Sequence, residues 1–188
     1  IGVFSAIAAI LMVLEFPVPF APSFYGLDFS ELPALIGAFA YGPVAGVMIE
    51  FCKILIKLVL KPSSTAFVGE LANFSISCML VLPASVIYLF KKSRKQAILG
   101  TVVGTLIMTA FGSCFNAIYL LPKFSELYGI PLDAIIGMGT AINPAIHSIS
   151  GLVLMCVVPL NLLKGGLVSL ITILVYKKLS PILKAAHK

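Results

Sequence analysis

The sequence predicts an all-α integral membrane protein, with residues 1–188 forming a single membrane domain built as a bundle of six transmembrane helices. Of the 188 residues, 60% are apolar and only 11% are charged, and the mean hydropathy is +1.12. A soluble domain of this length carries far more charge. The apolar runs are long and unbroken rather than alternating with a period of two residues, which argues against a membrane β-barrel.

Three apolar segments are predicted in the first third of the chain. They cover residues 1–16, 31–41 and 44–60. Between the first two, residues 17–31 combine prolines, a glycine and aromatic residues, which indicates a structured loop. Ser30 is a predicted N-cap for the second segment. Gly42-Pro43 separates the second segment from the third, and a polar turn over residues 61–65 ends the third.

Three further segments follow the polar turn. They cover residues 66–90, 97–121 and 160–176. A continuous helix from His147 to Lys178 would be about 48 Å long at 1.5 Å per residue, well beyond a hydrocarbon core of about 30 Å. We therefore predict that Pro159 lies in the first turn of helix six. Residues 145–158 are then a separate re-entrant or interfacial helix, preceded by a loop region that begins at Pro122.

Two basic clusters predict the orientation in the cell membrane. Together they hold eight of the 13 Lys and Arg residues: Lys91, Lys92, Arg94, Lys95, Lys177, Lys178, Lys184 and Lys188. Because basic residues flank the cytoplasmic ends of helices, residues 91–95 and 177–188 are predicted to be cytoplasmic. The loops over residues 17–31 and 122–158, between helices one and two and between five and six, are then extracellular. A nucleic-acid surface would instead interleave basic with polar and aromatic residues.

Three polar pairs indicate a binding pocket near the outer ends of the helices. Residues three apart share a helix face, and such pairs occur in segments four, five and six: Glu70 with Asn73, Asn116 with Tyr119, and Asn161 with Lys164. A single buried Asn is usually a hydrogen-bonding contact between helices. Three such pairs at one depth favour a small-molecule site, whose apolar walls would come from the aromatic residues of the 17–31 loop.

The third segment carries a possible internal ion pair. Glu50 and Lys53 are three residues apart within an apolar run, where charged side chains are costly unless paired. Lys57 and Lys61 lie closer to the outer end and can extend their ammonium groups to the membrane surface. The sequence contains no phosphate-binding glycine loop and no metal-ligand or nucleophile motif. It therefore predicts neither ATPase nor other enzyme activity, no metal and no cofactor.

In order and spacing, these motifs resemble the substrate-binding S components of energy-coupling factor (ECF) vitamin transporters, most closely those for riboflavin. The matching pieces extend over nearly the whole chain. They are Phe16-Pro17-Val18-Pro19-Phe20, residues 27–35, Tyr41-Gly42-Pro43, Glu50 with Lys53, residues 69–74, Asn116 with Tyr119, and residues 159–165.

The resemblance implies six helices and a vitamin pocket that faces outward and is covered by loops. It implies riboflavin as the transported ligand and no cofactor. It also implies assembly with a membrane coupling subunit and two cytoplasmic ATPases. The residues it implies for ligand binding are Asn116, Asn161, Lys164, Tyr25, Leu27, Asn73 and Glu70. The family docks its first helix through small residues spaced four apart, which here are Gly2 with Ala6 and Ser5 with Ala9.

Three alternatives stay open at this point. The first is an S component for another vitamin. The second is a solitary proton-coupled carrier, for which Glu50 and Lys53 would be candidate relay groups. The third is a membrane enzyme acting on lipid head groups, and the absence of acidic motifs counts against it.

Overall fold

The structure, a computed structural model, describes residues 1–185, and the side chains of residues 176, 177 and 179–185 lie outside the description. The fold is mostly helical. In chain order the helices are α1 (Gly2–Val13), α2 (Glu31–Tyr41), α3 (Pro43–Leu60), α4 (Val68–Phe90), α5 (Arg94–Phe115), α6 (Leu121–Tyr128), α7 (Leu132–Ile142), α8 (Ile149–Leu152) and α9 (Val158–Ala185). Two π-helical segments, Asn116–Leu120 and Val153–Val157, join α5 to α6 and α8 to α9.

Three helical stretches within the described residues are long and apolar enough to cross a membrane. They are Val68–Phe90, Arg94–Tyr128 and Ile149–Val175. Three shorter apolar helices, α1, α2 and α7, have 12, 11 and 11 residues. Helix α3 has 18 residues but contains three charged side chains, Glu50, Lys53 and Lys57. The structure therefore confirms a helical protein with apolar membrane spans.

Helix six does not begin at Pro159, so that prediction is wrong. Residues 149–185 are continuously helical, and residues 145–158 do not form a separate helix. The π segment makes this possible, because Val158 N–H donates to the Val153 carbonyl five residues earlier. One extra residue in the turn makes room for a proline ring that would otherwise clash with the preceding turn. The length limit of about 30 Å applies only to the part of a helix within hydrocarbon.

The same arrangement occurs at Pro122, where the fifth segment was predicted to end. The helix instead continues from Arg94 to Tyr128. The π segment before Pro122 has Leu121 N–H donating to the Asn116 carbonyl. Pro122 and Pro159 are thus each preceded by a widened turn.

The loop after α1 contains a small β-ribbon that the all-α prediction did not include. Strand β1 (Phe16–Pro17) pairs antiparallel with β2 (Gly26–Leu27). Gly26 leaves room for the Glu15 side chain, since a Cβ atom at this position would lie 2.9 Å from a carboxylate oxygen of Glu15. The ribbon closes the loop over residues 18–25 into a compact unit, as the aromatic and proline-rich sequence predicted.

Two larger hydrophobic cores and a smaller third one, around Val68, Ala72 and Leu120, stabilise the fold. The first is shared by α2, α3, α4, α5 and α9, and includes Leu35, Ile49, Leu80, Met108 and Val168. The second packs the β-ribbon loop against α7, α8 and the second π segment, and includes Tyr25, Ile135, Ile146, Leu152 and Cys156. Apolar burial on this scale is what holds the loop against the helices.

Helices α4 and α5 approach each other closely through glycine. A Cβ atom added at Gly100 would lie 2.5 Å from the Ala84 carbonyl oxygen, and one at Gly104 would lie 2.6 Å from that of Leu80. Small residues at helix contacts allow this close packing in membranes.

Replacing Gly100 by alanine is expected to destabilise the protein. The new methyl group must push α4 and α5 apart, and overpacking of this kind costs about 1–3 kcal/mol. The matched control is Gly166→Ala, because Gly166 lies in α9 with nothing within 4 Å of an added Cβ atom. Thermal unfolding of both variants in detergent, followed by circular dichroism, should show a lower melting temperature for Gly100→Ala only. Equal melting temperatures would contradict the close α4–α5 contact.

Candidate functional site

A cavity of about 730 Å³ opens between the β-ribbon loop, α4, α5, α7 and α9. Its volume lies within the range of about 300–1,000 Å³ that small-molecule sites occupy. Phe24, Tyr25 and Phe124 supply aromatic wall. The Phe24 ring lies 4.6 Å from that of Tyr25 and 6.3 Å from that of Phe124, measured between centroids. The aromatic wall therefore joins the loop to α6.

Tyr25 connects the loop to the first π segment. Its hydroxyl donates to Asn116 Oδ1 at 2.8 Å, and Asn116 Nδ2 donates to the Gly112 carbonyl at 2.8 Å. Burial raises the pKa of the Tyr25 phenol well above its usual range, because the ionised form would lose its solvation. The phenol therefore stays protonated and remains a donor. Both ends of the Asn116 amide are occupied within the wall.

Two other amides in the cavity wall have unused hydrogen-bonding atoms. Asn161 Nδ2 and Asn73 Oδ1 are buried without a partner among the described residues. Gly112 lets Asn161 approach α5, since a Cβ atom there would lie 2.8 Å from Asn161 Nδ2. Leaving a buried polar atom unpaired costs about 1–3 kcal/mol. A free donor and a free acceptor in one cavity are therefore available to a bound molecule.

Lys164 is held by two carboxylates rather than left free. Its Nζ atom lies 2.9 Å from Asp28 Oδ2 and 2.8 Å from Glu31 Oε1. Ser77 Oγ also donates to Glu31 Oε1, at 2.6 Å. All four side chains line the cavity. Lys164 therefore joins α9 to the loop and to the first turn of α2, and its charge is neutralised within the wall.

The Asp28 carboxyl is ionised by its surroundings. Burial alone would raise its pKa, but the ammonium groups of Lys164 and Lys53, with hydrogen bonds from Ser30 and Lys164, lower it below the ordinary value. The backbone N–H of Ser30 donates to Asp28 Oδ1 at 2.8 Å. The ionised carboxylate of Asp28 thus holds the backbone in place just before α2 begins.

The predicted Glu50–Lys53 ion pair is present behind this wall. Lys53 Nζ contacts Glu50 Oε2, donates to Ser30 Oγ at 3.0 Å and lies 4.0 Å from Glu31 Oε1. Ser30 is the N-cap residue of α2 as predicted, but its side chain makes no cap hydrogen bond. The hydroxyl accepts from Lys53 instead, because a buried ammonium group needs several acceptors.

Glu70 lies at the rim of the cavity, and both of its carboxylate oxygens accept hydrogen bonds from neighbouring side chains. Its carboxylate accepts from Lys57 Nζ at 2.5 Å, from Ser63 Oγ at 2.8 Å and from Thr65 Oγ1 at 3.0 Å. These bonds hold the turn before α4, in which Phe67 has a positive φ of 67°. Glu70 therefore organises the rim as well as lining the cavity.

The structure brings most of the predicted ligand-binding residues to one cavity. Six of the seven line it: Tyr25, Glu70, Asn73, Asn116, Asn161 and Lys164. Leu27 does not, because it packs partly buried against the second core. Tyr119, expected to pair with Asn116, is 40% exposed and lies outside the cavity lining. The π segment that begins at Asn116 removes the i,i+3 relation of a regular helix.

Asp28 and Glu31 are site residues that the sequence analysis assigned only to the external side. Both are buried, with exposed fractions of 5% and 0%. One signal could have found them, since a lysine inside an apolar segment requires a partner. Asp28 and Glu31 are acids that flank the start of a helix and sit three residues apart. Asp28 and Lys164 lie 136 residues apart in the sequence. Spacing along a single helix cannot reveal a pairing over that distance.

The small residues of α1 are divided between two faces. Ser5 and Ala9 are fully buried in the bundle, at 0% exposure. Gly2 and Ala6 are exposed on the outer face. Only the second pair is therefore available for contact with another protein.

Replacing Lys164 by methionine is expected to destabilise the protein strongly. The change leaves two buried carboxylates without their shared counter-ion, and removing one partner of a buried ion pair costs about 3–5 kcal/mol. The matched control is Lys123→Met, which removes an exposed lysine paired with Glu126 at 2.6 Å and should change little. Denaturant unfolding in micelles measures the free energy of unfolding of each variant relative to the wild type. Similar values for the two variants would show that the Lys164 contacts contribute no more than a surface pair.

Comparison with known proteins gives consistent results. The family model for the substrate-specific component of ECF transporters matches residues 1–176. The chain is 34% identical to the riboflavin transporter RibU of Staphylococcus aureus (strain TCH60), with 98% of this chain and 90% of that protein covered. It is 31% identical to the riboflavin transporter FmnP of Bacillus subtilis (strain 168), with 96% and 90% covered.

A solved structure shares the fold. It is described as "Structure and mechanism of the S component of a bacterial ECF transporter" and superposes with a TM-score of 0.73 at 36% identity, covering 97% of this chain and 94% of that one. The match of the family model over nearly the whole chain agrees with the helical fold and with the cavity. The chain therefore belongs to the substrate-specific S components of ECF transporters, a family of membrane transport proteins rather than enzymes.

Proposed function

We propose that this chain is the high-affinity riboflavin-binding subunit of an ECF-type vitamin importer, with its pocket open to the outside of the cell. The observation that carries the proposal is the pair of unpartnered amide atoms in an aromatic-lined cavity. Two relatives at 34% and 31% identity are named riboflavin transporters, which supports this choice of ligand over another vitamin.

The chemistry of the cavity matches that of riboflavin. The vitamin is neutral, with a flat apolar ring that carries acceptors and a hydroxylated tail. Asn161 Nδ2 would donate to a ligand oxygen or nitrogen, and Asn73 Oδ1 would accept from a ligand N–H or O–H group. Phe24 and Tyr25 offer aromatic surface against which a flat ring packs well.

The other predicted residues support the ligand in different ways. Asn116 and Tyr25 form a wall by hydrogen-bonding to each other, and Glu70 holds the rim through its contacts with the 61–65 turn. The positive charge of Lys164 is compensated by Asp28 and Glu31, so Lys164 offers no free cation to a ligand. Leu27 anchors the covering loop from behind.

We further propose that residues 1–188 form one membrane domain of six spanning helices in the cytoplasmic membrane. The basic cluster over residues 91–95 covers the turn after α4 and the first residues of α5. It would face the cytoplasm, as would residues 177–188. Of the second cluster, Lys177, Lys184 and Lys188 lie outside the described side chains. The β-ribbon loop and the region around α7 would then cover the pocket from outside.

The partners proposed for uptake are a membrane coupling subunit and two cytoplasmic ATPases. Membership of the ECF family supports this assembly. On this chain the exposed pair Gly2 and Ala6 offers a face on which another helix can pack closely. Ser5 and Ala9 are buried in the bundle and would support α1 from within.

Asn161→Ala is expected to weaken riboflavin binding about three- to tenfold, because one hydrogen bond of about 0.5–1.5 kcal/mol is lost. Quenching of flavin fluorescence on titration with the purified protein measures the affinity. Asn143→Ala is the control, since Asn143 is exposed and does not line the cavity. Binding of a different vitamin without flavin quenching would instead assign the pocket to that vitamin.

Ala6→Leu is expected to reduce co-purification with the coupling subunit while riboflavin binding stays unchanged. The larger side chain would hold the partner helix away from α1. Ala110→Leu is the control, because Ala110 is an exposed small residue on α5. Equal recovery of the coupling subunit with both variants would rule out this face of α1 as the docking surface.

A further inference from the structure

Five charged side chains meet in the interior beside the cavity. Asp28 comes from the loop, Glu31 from α2, Glu50 and Lys53 from α3, and Lys164 from α9. We call them the charge cluster. Glu31, Glu50 and Lys53 are fully buried, and Asp28 is 5% exposed.

The charge cluster has one acid more than it has bases. Fully ionised, three carboxylates and two ammonium groups would leave one net negative charge inside the bundle. Burying an uncompensated charge is far costlier than burying a neutral carboxylic acid. Neighbouring elements bring no further base among the described side chains: α1 has no charged residue, Lys57 is bound to Glu70, and Cys78 of α4 brings only a thiol.

The contacts differ among the three acids. Asp28 accepts from Lys164 and from the Ser30 backbone N–H. Glu31 accepts from Ser77 and contacts Lys164. Both therefore have two donors that favour the ionised form.

Glu50 is the acid with the least support for a negative charge. Neither of its oxygens accepts a hydrogen bond among the described residues, since Oε2 makes only the ion-pair contact with Lys53 and Oε1 has no partner. In Glu31 only Oε2 lacks a hydrogen-bond partner, because Oε1 accepts from Ser77. Asp28 and Glu31 line the cavity, whereas Glu50 lies behind the wall and does not line it. Lys53 keeps Ser30 as an acceptor and Glu31 as a counter-ion at 4.0 Å when Glu50 is neutral.

We propose that Glu50 is a proton-binding site that is occupied at neutral pH. The bound proton leaves two carboxylates, Asp28 and Glu31, to balance the two ammonium groups of Lys53 and Lys164. The charge cluster as a whole is then electrically neutral, because Lys53 behind the wall balances the one carboxylate by which Asp28 and Glu31 exceed Lys164 at the cavity. This inference concerns the protein without ligand and stands independently of the identity of the transported vitamin.

The test is infrared spectroscopy of the purified full-length protein at neutral pH. A protonated carboxyl group has a carbonyl stretch that is separate from the carboxylate bands and moves to lower frequency in D₂O. The chain has only seven Asp and Glu residues, so single substitutions can assign the band. We expect one such band in the wild type and its loss in Glu50→Gln, which replaces the acid with a neutral isostere.

Two matched variants complete the test. Glu126→Gln removes an exposed acid and should leave the band in place. Glu50→Asp keeps a carboxyl group in altered surroundings and should shift the band without removing it, which assigns Glu50 even if Glu50→Gln does not fold. A wild-type spectrum without the band, a band that persists in Glu50→Gln, or one unmoved in Glu50→Asp would overturn the proposal. Riboflavin titration of the same samples tests the proposed function separately.

Discussion

The contact of Lys164 with Asp28 and Glu31 is the interaction on which the rest of the site depends. It joins three parts of the chain that are distant in sequence: the covering loop, the start of α2 and the last long helix. None of the three side chains is tolerable in the interior by itself. The loop therefore has to fold against α9 for any of these charges to be buried, so forming the cavity wall and satisfying the charges are one event.

In the cavity wall, the charged side chains and the amide side chains have different roles: the former support the structure and the latter are available to a ligand. The charged groups pair with one another and thereby hold the loop and helices in place. The amides of Asn73 and Asn161 do the opposite, since each has an atom that the protein leaves unpaired. A site built this way recognises a molecule by hydrogen bonds and shape rather than by charge. The aromatic rings at the loop contribute the shape.

The position of polar residues within apolar segments predicted several residues of this site. The amides were placed at one level from their position in apolar segments, and Asn73, Asn116 and Asn161 do line one cavity. The prediction of helix ends at Pro122 and Pro159 was wrong, because a π turn accommodates a proline without ending the helix. The pairing of Asp28 with Lys164 was not predicted, because the two residues lie 136 positions apart in the sequence. Such pairing is decided by tertiary packing, which periodicity along one segment does not report.

The two π segments also limit which changes of chain length this protein can accept. Each holds one residue more than a regular α-helical turn would need. Deleting that residue would restore an ordinary helix, but everything beyond it would rotate by about 100° and move by about 1.5 Å. In the last helix, this would carry Asn161 and Lys164 away from the cavity while Leu152 and Val153 stayed in the core with the loop. Single-residue deletions in these two turns should therefore be far less tolerated than substitutions at the same positions.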